Sequence, residues 1–180
     1  MTRRRTGSYS GAKWEKVGGN GSLRPIPGLM FRGAAKITLD DKGRVVVPAR
    51  YRERLLERSQ GQLVVTVNLD GECLLIYPLN DWEQVERRIM ELPSLNEDSR
   101  RLQRIMVGHA TDLALDGHGR MLLPPELREL AKLNRHAVLI GQGARCELWD
   151  ETRWNERRDA WLKTETSAAN LPAQLDSLSL

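Results

Sequence analysis

From residue 34 to residue 163 the apolar positions fall into short blocks punctuated by Gly, Asp, Asn and Pro, a pattern of brief strands and short helices. Strands are predicted at 34–39, 44–47, 63–67 and 73–77. A matching set is predicted at 111–115, 120–123, 137–140 and 146–149. The intervening turns are Asn68-Leu69-Asp70-Gly71 and Gly141-Gln142-Gly143. A helix is predicted from Pro48 to about Arg58. Proline opens it, where a missing N–H costs nothing, and Tyr51, Leu55 and Leu56 face inward. Arg50, Arg54 and Arg58 recur every fourth residue on another face. A second helix carries the stripe Trp82, Val85, Ile89. Asn80 and Glu83 stand at capping-box spacing at its start and Pro93 ends it. A third, from about Glu97 to Val107, turns Leu102, Ile105 and Met106 inward, and a last one starts near Asp150 with Trp154 and Trp161. The tryptophans are expected at core positions.

The two sets of elements belong to an internal repeat. The stretch Leu39-Asp40-Asp41-Lys42-Gly43-Arg44, continuing through Pro48, Arg52 and Glu53, returns as Leu115-Asp116-Gly117-His118-Gly119-Arg120, continuing through Pro124, Arg128 and Glu129. Further on, Ile76-Tyr77 with Trp82 matches Leu148-Trp149 with Trp154, so the second copy is slightly shorter in its middle. Gly43 and Gly119 suit a left-handed position that closes a tight turn. Four short strands are marginal alone. Two copies packed about a pseudo-twofold axis bury what each leaves open, which predicts an α+β chain of two tandem β-rich modules with short helices. The expected divisions are 1–29, a structureless extension; 30–108, the first module with a connector helix; 109–163, the second module; and 164–180, a tail. Met30 opens the patterned part and is a candidate start of translation.

Charge changes the picture locally rather than globally. The net charge is +4, yet residues 1–29 alone carry +5. From Arg32 to Arg58 eight bases face four acids, and everything beyond Arg58 sums to −5. A polyanion would therefore meet the segment before residue 58 first. The repeated Asp-x-x-x-Arg, Asp40/Arg44 and Asp116/Arg120, is the central candidate chemistry. The aspartates read either as turn-stiffening caps or as groups that orient the arginines. The arginines then offer planar guanidinium forks to phosphate or a guanine edge. Lys42, and His118 at the same place in the second turn, are candidate phosphate contacts, as are Lys36, Arg50 and Arg54; the helix stripe also reads as an ordinary solvated face.

Other classes find little support. Three histidines and two cysteines, Cys73 and Cys146, show no metal-ligand spacing and no disulfide framework, so no metal or cofactor is expected and both cysteines are read as reduced. No nucleophile–base set or paired carboxylates stand out, which argues against an enzyme. Aromatic platforms for single-stranded nucleic acid are not expected either. No apolar run reaches the roughly 18 residues of a membrane helix, and residues 1–29 lack a signal-peptide core, so a cytoplasmic location is expected.

At the doubled Leu-Asp-x-x-Gly-Arg-x-x-x-Pro the sequence resembles the AbrB/MraZ family of swapped-hairpin DNA-binding proteins. The resemblance is closest to its MraZ branch. It extends to Met30-Phe31-Arg32-Gly33, Leu74-Leu75-Ile76-Tyr77-Pro78, Val107-Gly108-His109-Ala110 and Glu147-Leu148-Trp149-Asp150-Glu151, and covers residues 30 to about 165. It implies AbrB-like swapped-hairpin modules, with Arg44 and Arg120 as DNA-contacting residues and Asp40, Asp116, Gly43 and Gly119 as their motif partners. It further implies a homo-oligomeric ring that binds promoter repeats in double-stranded DNA at the nucleoid. The ring would regulate, most simply repress, the division and cell-wall gene cluster. His118 departs from the family's basic residue, and the leader lies outside its pattern. The rival reading is an antitoxin-like protein-interaction scaffold working through the acidic second half.

Overall fold

The computed structural model describes residues 14–16, 23–25 and 30–163. In chain order they form β1 (Trp14–Lys16), β2 (Leu23–Pro25), β3 (Phe31–Thr38), β4 (Arg44–Val46), α1 (Ala49–Ser59), β5 (Gln62–Val67), β6 (Cys73–Pro78), α2 (Leu79–Met90) and α3 (Glu97–Leu102). A π-helical turn, Gln103–Val107, follows. Then come β7 (Thr111–Ala114), β8 (Arg120–Leu122), α4 (Pro125–Leu130), β9 (His136–Gly143), β10 (Arg145–Asp150) and α5 (Glu151–Lys163).

The repeat governs how these strands pair. A six-stranded antiparallel sheet runs in the order β3-β9-β10-β6-β5-β7. Its centre is β6 against β10, with Leu75 opposite Glu147. Each copy's own hairpin flanks that centre, but each outermost strand comes from the other copy: β3 lies on β9 and β7 on β5. The second strands also pair across copies, as a separate ribbon of β4 and β8 in which Val45 faces Met121, its counterpart in the repeat. Neither copy could complete its sheet alone, which is the physical content of a swapped hairpin.

Both faces of the sheet are covered, so β5 and β6 are almost continuously buried rather than alternating. One core joins Ile37, Val45, Val47, Tyr51, Leu55, Leu74, Ile76, Met121, Leu123 and Leu148, beneath the ribbon and α1. The other joins Val64, Cys73, Leu75, Tyr77, Trp82, Ile89, Met106 and Trp149, beneath α2 and the π-helical turn.

Several local expectations are corrected. Leu56 is 49% exposed rather than inward. The Asn80–Glu83 capping box does not form: Pro78 caps α2 two residues earlier, and Asn80 Nδ2 instead donates to the Arg58 carbonyl at 2.8 Å, tying α2 to α1. Gly141 and Gln142 are not a turn. They continue β9, opposite Cys146 and Arg145. Gly141 is there because the backbone of Phe31 and Arg32 in β3 crosses so close that a Cβ would collide with it. The connector is capped by Asn96, whose side chain accepts from Ser99 N at 2.9 Å, and its second half is π-helical rather than α. Trp82 and Trp149 are core residues, but Trp161 is 52% exposed, edge-on to Trp149 and Trp154. Most of 1–29, and all of 164–180, lie outside the described residues. Within the leader, β1 and β2 form their own two-stranded sheet.

Candidate nucleic-acid interface

Each repeat turn is built by its aspartate. Asp40 Oδ1 accepts from Lys42 N at 3.0 Å and Arg44 N at 2.9 Å, while Oδ2 accepts from Arg44 Nε at 2.6 Å. Asp116 accepts from His118 N at 2.8 Å, Arg120 N at 3.0 Å and Arg120 Nε at 2.8 Å. The aspartates thus do both things foreseen for them: they cap the turn and hold the arginine. Because the grip is on Nε, the terminal guanidinium nitrogens of Arg44 and Arg120 keep no protein partner among the described residues, and these side chains are 37% and 32% exposed.

The turns require glycine for two reasons. Gly43 and Gly119 have φ of +80° and +72°. Both are buried under an arginine of the opposite copy: a Cβ on Gly43 would lie 2.7 Å from Arg128 Nε, and one on Gly119 would run into Arg52. Backbone bonds lock the turns reciprocally, from Val47 N to Gly119 O and from Leu123 N to Gly43 O, both at 3.0 Å. The two turns and the ribbon between them are therefore one rigid unit. Its inner face is Val45 and Met121, fully buried, and its outer face carries Arg44, Val46, Arg120 and Leu122.

Arg52 and Arg128 are the residues that sequence reasoning missed. Their signal was present, since both recur in register with Arg44 and Arg120, but only the cross-copy packing puts them on the turns.

Of the other sequence candidates, two share the turns and the rest lie apart from them. Lys42 and His118 are exposed in the turns. Lys36 stands on β3 in the larger sheet, ion-paired to Glu151 at 2.6 Å. In the arginine stripe of α1, Arg50 is exposed, Arg54 half-buried and Arg58 buried, and all three have partners within the protein. Arg50 Nη2 donates to Ala34 O at 2.6 Å and its guanidinium lies over the Tyr51 ring, while Arg54 donates to Met30 O. Tyr51 donates to Gly33 O. These side chains cover the backbone of β3, an edge strand of the sheet. Arg58 is buried with Asp81.

Strong hydrogen bonding to the ionised form keeps both turn carboxylates below the usual aspartate range. Donation by the Arg44 backbone N–H is the main cause for Asp40. For Asp116 it is the Arg120 N–H, which lowers the pKa from 3.8 to about 2. A carboxylate whose pKa is lowered by folding stabilises the fold above its unfolded value and loses that contribution as pH falls through the folded one. The turn's contribution should thus be complete above about pH 4 and fade towards pH 2. In acid unfolding, Asp116→Asn should flatten the stability profile in that window; an unchanged slope would contradict the assignment.

No group of three or more His, Cys, Asp or Glu is arranged for a metal among the described residues. Cys73 and Cys146 are buried, free thiols, and burial pushes both up, Cys146 to about 12.

Residues 30–105 and 106–173 each match the family described as "MraZ protein, putative antitoxin-like". Similar proteins named "Transcriptional regulator MraZ" occur in Thioalkalivibrio sulfidiphilus, 53% identical over 151 residues, and Halorhodospira halophila, 48% over 152. A third, in Pseudomonas aeruginosa, is 50% identical over 151. Each match covers 84% of this chain and the whole of the relative.

Proposed function

The chain belongs to the MraZ family, and on that premise we propose that it regulates transcription by sequence-specific binding of double-stranded DNA through the β4–β8 ribbon. Its relatives are transcriptional regulators by name, and it is a regulator rather than an enzyme. The observation that carries the DNA reading is the rigid outer face with two aspartate-held arginines, one per copy. A two-stranded ribbon fits the major groove, roughly 12 Å wide, and an arginine fork matches guanine O6 and N7. Lys42, His118, Arg52 and Arg128 border that face and suit phosphates, which position the ribbon without reading sequence.

The wider reading follows the family resemblance. The protein acts as a homo-oligomeric ring on repeats upstream of its own gene, repressing the division and cell-wall cluster, in the cytoplasm at the nucleoid. Presenting many ribbons together explains how a body that is nearly neutral outside residues 1–29 holds a polyanion, since avidity multiplies weak contacts. No helix among the described residues is long and apolar enough to cross a membrane.

A gel-shift titration of the duplex upstream of its own gene, against a scrambled duplex, tests this reading. Preference for the upstream duplex is expected. The affinity should fall with a log–log salt slope of magnitude at least about 3, from three permanent cations on phosphates. Equal binding to both duplexes, or no binding, would contradict it. An antitoxin-like scaffold, a term the family's description also carries, would instead show a stoichiometric protein partner and no DNA affinity.

A further inference from the structure

The ribbon's outer face is only half polar. Val46 and Leu122 are each 56% exposed there, occupying the same position in the two copies. Each stands directly opposite an arginine across the ladder, Val46 against Arg120 and Leu122 against Arg44. The four side chains thus form a square patch, with arginines on one diagonal and aliphatic groups on the other.

Single exposed aliphatic residues are ordinary on protein surfaces, and valine suits a strand whatever it faces. Two facts separate this pair. The position recurs under the pseudo-twofold axis, and it is interleaved with guanidinium groups that keep unpaired N–H donors. A purely apolar partner would strand those donors. An acidic one would leave the aliphatic groups unmatched. The floor of the major groove offers both partners side by side: guanine O6 and N7 accept from arginine, and the thymine C5-methyl is its apolar feature. The scale also agrees. Residues two apart on one face of a strand are about 7 Å apart, close to two base-pair steps of about 3.4 Å.

We propose that Val46 and Leu122 read thymine, packing on its C5-methyl groups next to the guanines addressed by Arg44 and Arg120. This rests on the DNA-binding reading above and adds specificity-determining residues to it. The outer face would then select sites in which G·C and A·T pairs alternate at that spacing.

Replacing thymidine by deoxyuridine removes the methyl group alone and keeps base pairing. The test is binding of the full chain to the upstream duplex prepared with thymidine or with deoxyuridine, by wild type and by the V46A/L122A variant. Wild type should bind the deoxyuridine duplex more weakly, about four-fold for each packed methyl group removed. The variant should bind the thymidine duplex about as weakly as wild type binds the deoxyuridine one, and it should no longer distinguish the two. Equal wild-type affinity for both duplexes overturns the proposal while leaving the DNA-binding reading intact. A variant that still discriminates as strongly as wild type overturns it too. Absence of wild-type binding to either duplex removes both. If the variant fails to fold, the wild-type comparison decides alone.

Discussion

Alanine at both Arg44 and Arg120 should abolish discrimination between the upstream duplex and scrambled DNA while leaving the melting curve nearly unchanged. Each bidentate arginine–guanine contact contributes about 1–3 kcal/mol of discrimination. Loss of two therefore costs about 30-fold to 10⁴-fold in specific affinity. The fold is spared for a structural reason. Both guanidinium groups are outside the core, their ion pairs with Asp40 and Asp116 are about one-third exposed or more, and exposed pairs contribute only about 0–1 kcal/mol. The turns themselves are held by backbone bonds to the aspartates and between the copies, which alanine leaves in place. Single variants should fall between wild type and the double variant, because the ribbon presents one fork from each copy. Lysine at both positions should not restore discrimination, since an ammonium keeps the charge but lacks the planar fork.

The largest loss of stability is expected inside the protein, at the pair joining α1 to α2. Arg58 Nη2 donates to Asp81 Oδ1 at 2.6 Å, with the two side chains only 2% and 4% exposed and the guanidinium near the Phe31 ring. Burial raises the Asp81 pKa in spite of Arg58's attraction. Asp81→Ala leaves a buried cation that cannot shed its proton, and should cost about 3–5 kcal/mol. Arg58→Met is milder, because the stranded carboxyl can take up a proton. Its folded-state pKa then climbs further above the ordinary value, and such a group loses stability as pH rises. The gap between Arg58→Met and wild type should therefore widen from about pH 4 towards neutrality. Replacing both residues with apolar ones of similar size should recover much of the loss. Urea unfolding across pH checks all of this; equally mild effects for both single variants, flat with pH, would contradict it.

How far such features could be read in advance depended on their range along the chain. The turn needs glycine where φ is positive, and proline opens the helix that follows; these are local demands, visible as letters at fixed spacing in both copies. So were the strands that bracket them. Which strand lies beside which is different. Placing β3 on β9 and β7 on β5 joins segments from opposite copies, and here the family resemblance implied a swap that periodicity could not. The arginine stripe makes the same point. A spacing of four puts Arg50, Arg54 and Arg58 along one side of α1, but only the tertiary fold turns the first onto the backbone of β3, the second onto Met30 just before it, and buries the third against Asp81. Gly141 looks like a turn residue until β3 is laid across it. Arg52 and Arg128 were visible as recurring letters; that each covers the other copy's turn was not.

The most direct test is a fluorescence-anisotropy titration of the labelled upstream duplex with wild type and with R44A/R120A, side by side, against scrambled competitor, after both proteins give the same thermal melt. The two arginine forks on the cross-copy ribbon predict saturable, competitor-resistant binding by wild type and only weak binding, abolished by competitor, for the variant. Superimposable isotherms from two equally folded proteins would contradict the central claim.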